Sequence, residues 1–245
     1  MDYLLYFSLT FVFSTLFGVI GLGSSLVLIP ALSLLGIEFN FAKAIGLLAN
    51  GITTLSITIK NLKSGVLSFV EILPYLIASI VFAYLGAKTT IFISENLVQI
   101  LLLVFIFLSV AMMFTHLRYQ VVHREYSRLL IASIISFIAF IGGLIGVGGG
   151  AISLPLFMLL GIDTKKSIAL TSVLIPFVSF SGFASYATFV QMDWTLLSIV
   201  GVAAMLGGIT AHAITKKISN EKLLKIFIAL ILVGVSIAMT LKELL

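Results

Sequence analysis

Apolar residues along this chain neither alternate with a period of two nor keep to one stripe of a helix. They run on almost unbroken for the length of a membrane crossing, with short polar punctuation between runs. A bilayer core about 30 Å thick needs roughly 20 apolar residues at about 1.5 Å each. The runs Tyr3–Ile20, Phe41–Ile59, Val66–Gly86, Leu97–Thr115, Leu129–Ile145, Ser167–Phe189, Trp194–Thr215 and Leu223–Leu241 meet that need and predict spanning helices. Two shorter runs, Ser24–Gly36 and Gly149–Gly161, each follow a glycine cluster and predict half-helices or strongly tilted segments. Met1-Asp2-Tyr3 carries no positive charge and no small-residue cleavage site follows. The first run is therefore expected to be a retained helix, not a signal peptide. The longest polar stretch, His116–Arg128, is too short for a soluble domain.

Composition narrows the class. Of the 245 residues, 61% are hydrophobic and 9% charged, and the mean hydropathy is +1.28. A soluble domain is about 45–50% apolar and about 25% charged. So few charges exclude a soluble enzyme, a nucleic-acid reader and a disordered chain. The net charge of +5 comes from 14 Lys and Arg against 9 Asp and Glu, an excess that basic cytoplasmic loops supply without nucleic acid. The absence of cysteine excludes disulfides and thiolate sites. Nothing has metal-ligand spacing, and there is no Ser/His/Asp set or carboxylate pair, so neither a cofactor nor an enzyme activity is expected. An all-α polytopic membrane protein in the cell membrane is expected, with lipid as its surroundings.

A shift of 125 residues superimposes the two glycine regions without a gap. Gly18, Ile20, Gly21, Gly23, Pro30, Leu34, Leu35, Gly36, Ile37 and Ala44 fall on identical residues at 143, 145, 146, 148, 155, 159, 160, 161, 162 and 169. This predicts two repeats of about 120 residues, 1–120 and 121–245, each with four full helices and one short broken helix. If every glycine break lies inside one crossing, the 14 Lys and Arg divide six against eight between the faces. If each short segment returns toward the face its helix came from, only Lys43, Lys88 and Lys242 lie on one side and the other eleven gather opposite. Basic residues collect on the cytoplasmic side. The second arrangement is therefore preferred: inverted repeats, with both termini outside the cytoplasm.

Interrupted helices in inverted repeats are the pattern of secondary carriers, whose sites lie near the midplane. A break exposes backbone N–H groups that lipid cannot satisfy, so it must line a cavity or lie buried in protein. A helix N-terminus also favours an anion. Gly21, Gly23, Ser24 and Ser25 precede one short run, and Gly146, Gly148, Gly149 and Gly150 precede the other. The two N-termini are expected to point at one anion, with Ser24 and Ser25 adding hydroxyls. Small residues four apart, as at Gly146 and Gly150, also pack membrane helices closely. Asn50, Thr53 and Thr54 share one helical face just after the first cluster. Thr171, Ser172, Ser179 and Ser181 lie in the equivalent helix around Pro176. The plainer roles for these hydroxyls are bonds between helices or to their own backbone. Glu71 and His212 sit near helix ends, as interfacial groups. No carboxylate lies deep in a span, which argues against a buried proton relay.

Gly-Leu-Ile-Gly-Val-Gly-Gly-Gly at 143–150, with Pro155, Gly161 and Ser167–Thr171, resembles the sulfite exporter family of the TauE/SafE type, the sulfonate-uptake-permease group. The resemblance covers essentially the whole chain, including the weaker copy at 18–46, where Ser24-Ser25 stand in place of Gly149-Gly150. It implies a secondary carrier for sulfite, sulfonates or related small sulfur-containing anions. Its glycine loops fall on Gly21, Gly23, Gly146, Gly148 and Gly149. Export of an anion from a negative-inside cell gains about 2.3 kcal/mol per charge per 100 mV, so electrogenic or substrate-protonation-linked efflux is expected. A passive anion channel and an uptake carrier for a different small anion share these features. The Phe- and Leu-rich helices suit a homo-oligomer and lipid contact equally.

Overall fold

The protein was described from a computed structural model, which covers residues 2–21, 23–63, 69–114, 127–160, 162–215 and 221–244. Among these residues every regular element is helical, because in lipid a helix satisfies its own backbone. The first half holds α1 (Tyr3–Ile20), α2 (Ser25–Leu34), α3 (Phe39–Lys63), α4 (Phe69–Thr89) and α5 (Glu95–Phe114), with a 3₁₀ turn at Thr90–Phe92. The second half holds α6 (Arg128–Ile145), α7 (Gly150–Leu159), α8 (Thr164–Tyr186), α9 (Trp194–Thr215) and α10 (Glu221–Leu244). Among the described residues each predicted run overlaps one of these helices, and both short ones have ten residues.

Five helices of the described residues are long and apolar enough to cross a membrane: α1, α4 with the turn that follows it, α5, α8 and α9. The apolar stretches of α6 and α10 are shorter, Leu129–Ile145 and Ile226–Lys242. In α3 the apolar run is interrupted by Lys43, Asn50, Thr53, Thr54 and Thr58, all buried. Those side chains face protein, so the helix needs no continuous apolar surface. The predicted division between residues 120 and 121 lies outside the described residues, as do the side chains of Ser56 and Glu71 and the loop bearing His116 and His123.

The halves do not pack as separate bodies. α1 lies on α9 and α6 on α4, while α3 and α8 form the central pair. Each short helix is covered by its following long helix and by the last helix of the other half: α2 by α3 and α10, α7 by α8 and α5. α3 and α8 run antiparallel, since Lys43 meets Tyr186, Asn50 meets Ser179 and Thr58 meets Ser172. One of these contacts has a clear backbone cause. Pro176 lacks an N–H, which leaves the Ser172 carbonyl without its helical donor. The Thr58 hydroxyl donates to that carbonyl at 2.6 Å, the kind of repair that lets proline stand inside a membrane helix.

Exposed apolar side chains cover the outer faces, among them Ile77, Val104, Met205 and Leu230. Polar side chains turn inward. This reverses the ordinary soluble pattern and fits a lipid solvent.

Candidate functional site

The two glycine breaks converge on one side chain, Asn50. It is fully buried in α3, and its Nδ2 donates to Ser179 Oγ of α8 at 2.9 Å. A Cβ added to Gly148 would lie 2.5 Å from Asn50 Nδ2 and 2.5 Å from Ser179 Oγ. One added to Gly23 would collide with Asn50 Oδ1. Both glycines also have positive φ, +84° and +71°, a region costly for residues with a side chain. The glycines are thus required twice over, by backbone shape and by the approach of the amide.

A second bond ties the breaks together. Ser25 Oγ, at the start of α2, donates to Val147 O in the other break at 2.8 Å. Ser25 was expected to offer its hydroxyl to an anion; that hydroxyl is engaged in joining the halves. Ser24 Oγ is buried without a partner, and so is Asn50 Oδ1. Neither short helix has a side-chain cap at its N-terminus; Val27 and Ile152 N–H donate to Ser24 O and Gly149 O, and the N–H groups ahead of them have no partner within their own helices.

The other predicted residues are placed differently. Gly21 and Gly146 end α1 and α6, with open space beside Gly21 and the stem of Lys43 against Gly146. Gly149 caps α7 and Gly150 begins it. Thr53 Oγ1 turns to Ala204 O of α9 at 3.4 Å. Thr54 donates to Asn50 O of its own helix at 2.7 Å, and Ser172 to Ala169 O at 2.9 Å. For these two the backbone-bonding role is the one observed. Thr171 Oγ1 is buried without a partner. Ser181 bridges to Ile80 O of α4 at 2.6 Å, and His212 is exposed on α9.

The surroundings of the two breaks differ in polarity. Gly148 lines a small pocket with Ile135, Ile138 and Ala139 of α6, Ser153 and Phe157 of α7, Leu174, Ile175 and Val178 of α8, and Ser79 of α4. Shifting back by 125 residues puts Thr10, Phe13, Ser14, Leu28, Leu32, Ala49, Asn50 and Thr53 in the positions of the α6, α7 and α8 residues. Thr10 Oγ1 and Ser14 Oγ are fully buried there without partners. Sequence reasoning passed over both; hydroxyls one turn apart in an otherwise apolar helix were the available signal. It also assigned Lys43 to a water-facing end, although the residue lies inside the predicted run Phe41–Ile59. Lys43 is fully buried.

A family model described as Sulfite exporter TauE/SafE matches residues 6–239. The Bacillus subtilis (strain 168) protein named "Probable membrane transporter protein YunE" is 24% identical to this chain over 263 aligned positions, covering 96% of each. No solved structure matches.

Proposed function

The chain belongs to the sulfite exporter TauE/SafE family of membrane transporters, and from that premise we propose that it is a secondary carrier exporting sulfite or a related small organosulfur or sulfonate anion. The substrate is held near the midplane, where the glycine breaks of the two repeats meet. The observation that carries this reading is the convergence of Gly23 and Gly148 on Asn50. Two helix N-termini without side-chain caps and the Ser24 hydroxyl supply neutral donors there. Neutral donors bind an anion without the desolvation of a full counter-charge, and helix N-termini do so by their partial positive charge.

The repeats are inverted in this reading. Support comes from the antiparallel run of α3 against its own counterpart α8 and from the eleven-to-three division of basic residues. Both termini then face away from the cytoplasm. Outward movement of an anion is favoured by a negative-inside potential, at about 2.3 kcal/mol per charge per 100 mV, so efflux is electrogenic. The apolar outer faces suit surrounding lipid, and a homo-oligomer formed through them is part of the same proposal.

The test is efflux of labelled sulfite from proteoliposomes with the voltage clamped, with sulfate and sulfonates as competitors and Gly149→Leu as control. Saturable, voltage-sensitive efflux that the variant loses is expected. Efflux that never saturates makes the protein a passive channel. Failure to move any sulfur anion in either direction removes this substrate class. Single cysteines, placed in a chain that has none, report sidedness: one at Asp2 is expected to be labelled from outside the cell.

A further inference from the structure

One charged group is left over by the site just described. Lys43 lies in the second turn of α3 and is 0% exposed. Its Nζ has no hydrogen-bond partner. The ammonium stands 4.7 Å from the ring centre of Phe39 and 5.0 Å from that of Tyr186. An ammonium away from water and without a direct hydrogen-bond or ion-pair partner is costly, and two aromatic faces hold it in place without neutralising it.

The structural roles open to this lysine are occupied by other residues. A lysine near a helix C-terminus commonly donates to the last carbonyls, and the stem of Lys43 does lie against Gly146, just past the end of α6. Yet the Leu144 carbonyl already accepts from Tyr186 Oη at 2.9 Å and from Thr90 Oγ1 at 3.2 Å, and Gly143 O from Tyr186 Oη at 3.3 Å. The nearby carboxylates are also committed. Glu38 accepts from the backbone N–H groups of Asn40 and Phe41, both at 3.0 Å, and so caps α3. Glu95 accepts from Gln99 Nε2 at 3.3 Å. Along α3, Lys43 is seven residues from Asn50, a rise of about 10 Å, on the side where α3 begins and α8 ends.

We propose that Lys43 is an anion-binding residue of the transport path, its ammonium receiving the substrate anion between the glycine breaks and the membrane face at the start of α3. This rests on the proposed carrier function and adds to it a full positive charge that the break site lacks. The aromatic frame of Phe39 and Tyr186 fixes where the ammonium stands. Asn50 and the N–H groups select the anion, and Lys43 draws it outward.

The test compares wild type, Lys43→Met and Lys43→Arg in sulfite efflux from proteoliposomes and in thermal unfolding in detergent. Lys43→Met is expected to raise KM about tenfold or more, and Lys43→Arg to stay within about threefold of wild type. Ligand-free Lys43→Met is expected to unfold at the same or a higher temperature, because it removes a buried unpaired charge. A merely structural lysine predicts the reverse. Sulfite is expected to stabilise wild type and not Lys43→Met. If Lys43→Met fails to insert, Lys43→Gln takes its place, since it keeps most of the stem against Gly146.

An unchanged KM in the variant overturns the proposal. If wild type moves no sulfur anion, the carrier reading fails separately, and thermal shifts with sulfate, nitrate, chloride and phosphate then decide the Lys43 site. Stabilisation by any of these that depends on Lys43 supports it. The absence of any Lys43-dependent stabilisation overturns it.

Discussion

The two glycine breaks share a backbone plan and differ in what surrounds them. Of the eight buried polar side-chain atoms without a partner among the described residues, Thr10, Ser14, Ser24, Asn40, Lys43 and Asn50 belong to the first half, and Thr171 and Ser185 to the second. The second break lines a pocket whose walls are mostly apolar, with Ser79 and Ser153 as its polar side chains. The short helices differ in the same sense. α2 is buried along most of its length, whereas Ile152, Leu154, Pro155 and Leu156 of α7 are only half-buried. The same bends occur twice at an offset of 125 residues, with more unpartnered polar groups in the first half than in the second. A buried polar group left unsatisfied costs about 1–3 kcal/mol; in the first half the Thr10, Ser14 and Ser24 hydroxyls and the Lys43 ammonium are donors an anion satisfies, while the Asn40 and Asn50 atoms are amide oxygens.

The largest expected effect that separates the copies is on stability in the second. Phe157 is fully buried against the pocket, so Phe157→Ala enlarges a cavity and is expected to cost about 3–5 kcal/mol, read by unfolding in detergent, with the KM for anion within about twofold. A large rise in KM would mean the pocket contacts substrate, and the contrast between the halves would fail.

Next comes Asn50→Leu, which touches both breaks at once. It removes the bond to Ser179 and the amide from between Gly23 and Gly148. Transport is expected to fall about 100-fold, equivalent to about 2.7 kcal/mol, measured as initial efflux rate per inserted protein. Near-normal efflux would detach the glycine breaks from the substrate altogether.

Ser14→Ala and its mirror sharpen the comparison. Deleting an orphan hydroxyl is neutral or stabilising in the fold, while the KM for anion is expected to rise about fivefold. The equivalent change in the other copy, Ala139→Ser, is expected to leave KM unchanged and to cost about 1 kcal/mol. Equal KM effects from the two substitutions would restore two-fold equivalence of the sites. The smallest effect belongs to Ser153→Ala. Its hydroxyl bonds Gly149 O of its own helix at 2.8 Å, so stability should move by less than about 0.5 kcal/mol, a control measured in the same unfolding series.

Much of this architecture was legible because lipid imposes a single rule on backbone. The run Trp194–Thr215 and the run Tyr3–Ile20 are helices with those bounds, and the glycine clusters do interrupt the chain where the repeat placed them. What could not be read was facing. Whether Thr53 looks at substrate or at Ala204 O depends on α9, which comes from the other half and lies 151 residues away. The partner of Asn50 is 129 residues distant, and nothing local to either residue names the other. Lys43 failed for a related reason. Near the edge of an apolar run a lysine reads as a topology charge, and only the packing of Tyr186 beside it takes it out of water.

The covering of α2 by α10 has a consequence for how the chain is made. The last turn of α2 is closed by Lys242, whose Nζ donates to Ser33 O at 2.8 Å across a separation of 209 residues. During synthesis the first half enters the bilayer long before that lysine exists, so α2, buried along most of its length, waits with one side bare until α10 has been made. The opposite short helix does not wait, because α5, which lies on α7, is already made when α7 emerges. Maturation is therefore lopsided in time, and a chain cut just ahead of Lys242 would insert its crossings normally yet leave its first-made bend unsealed.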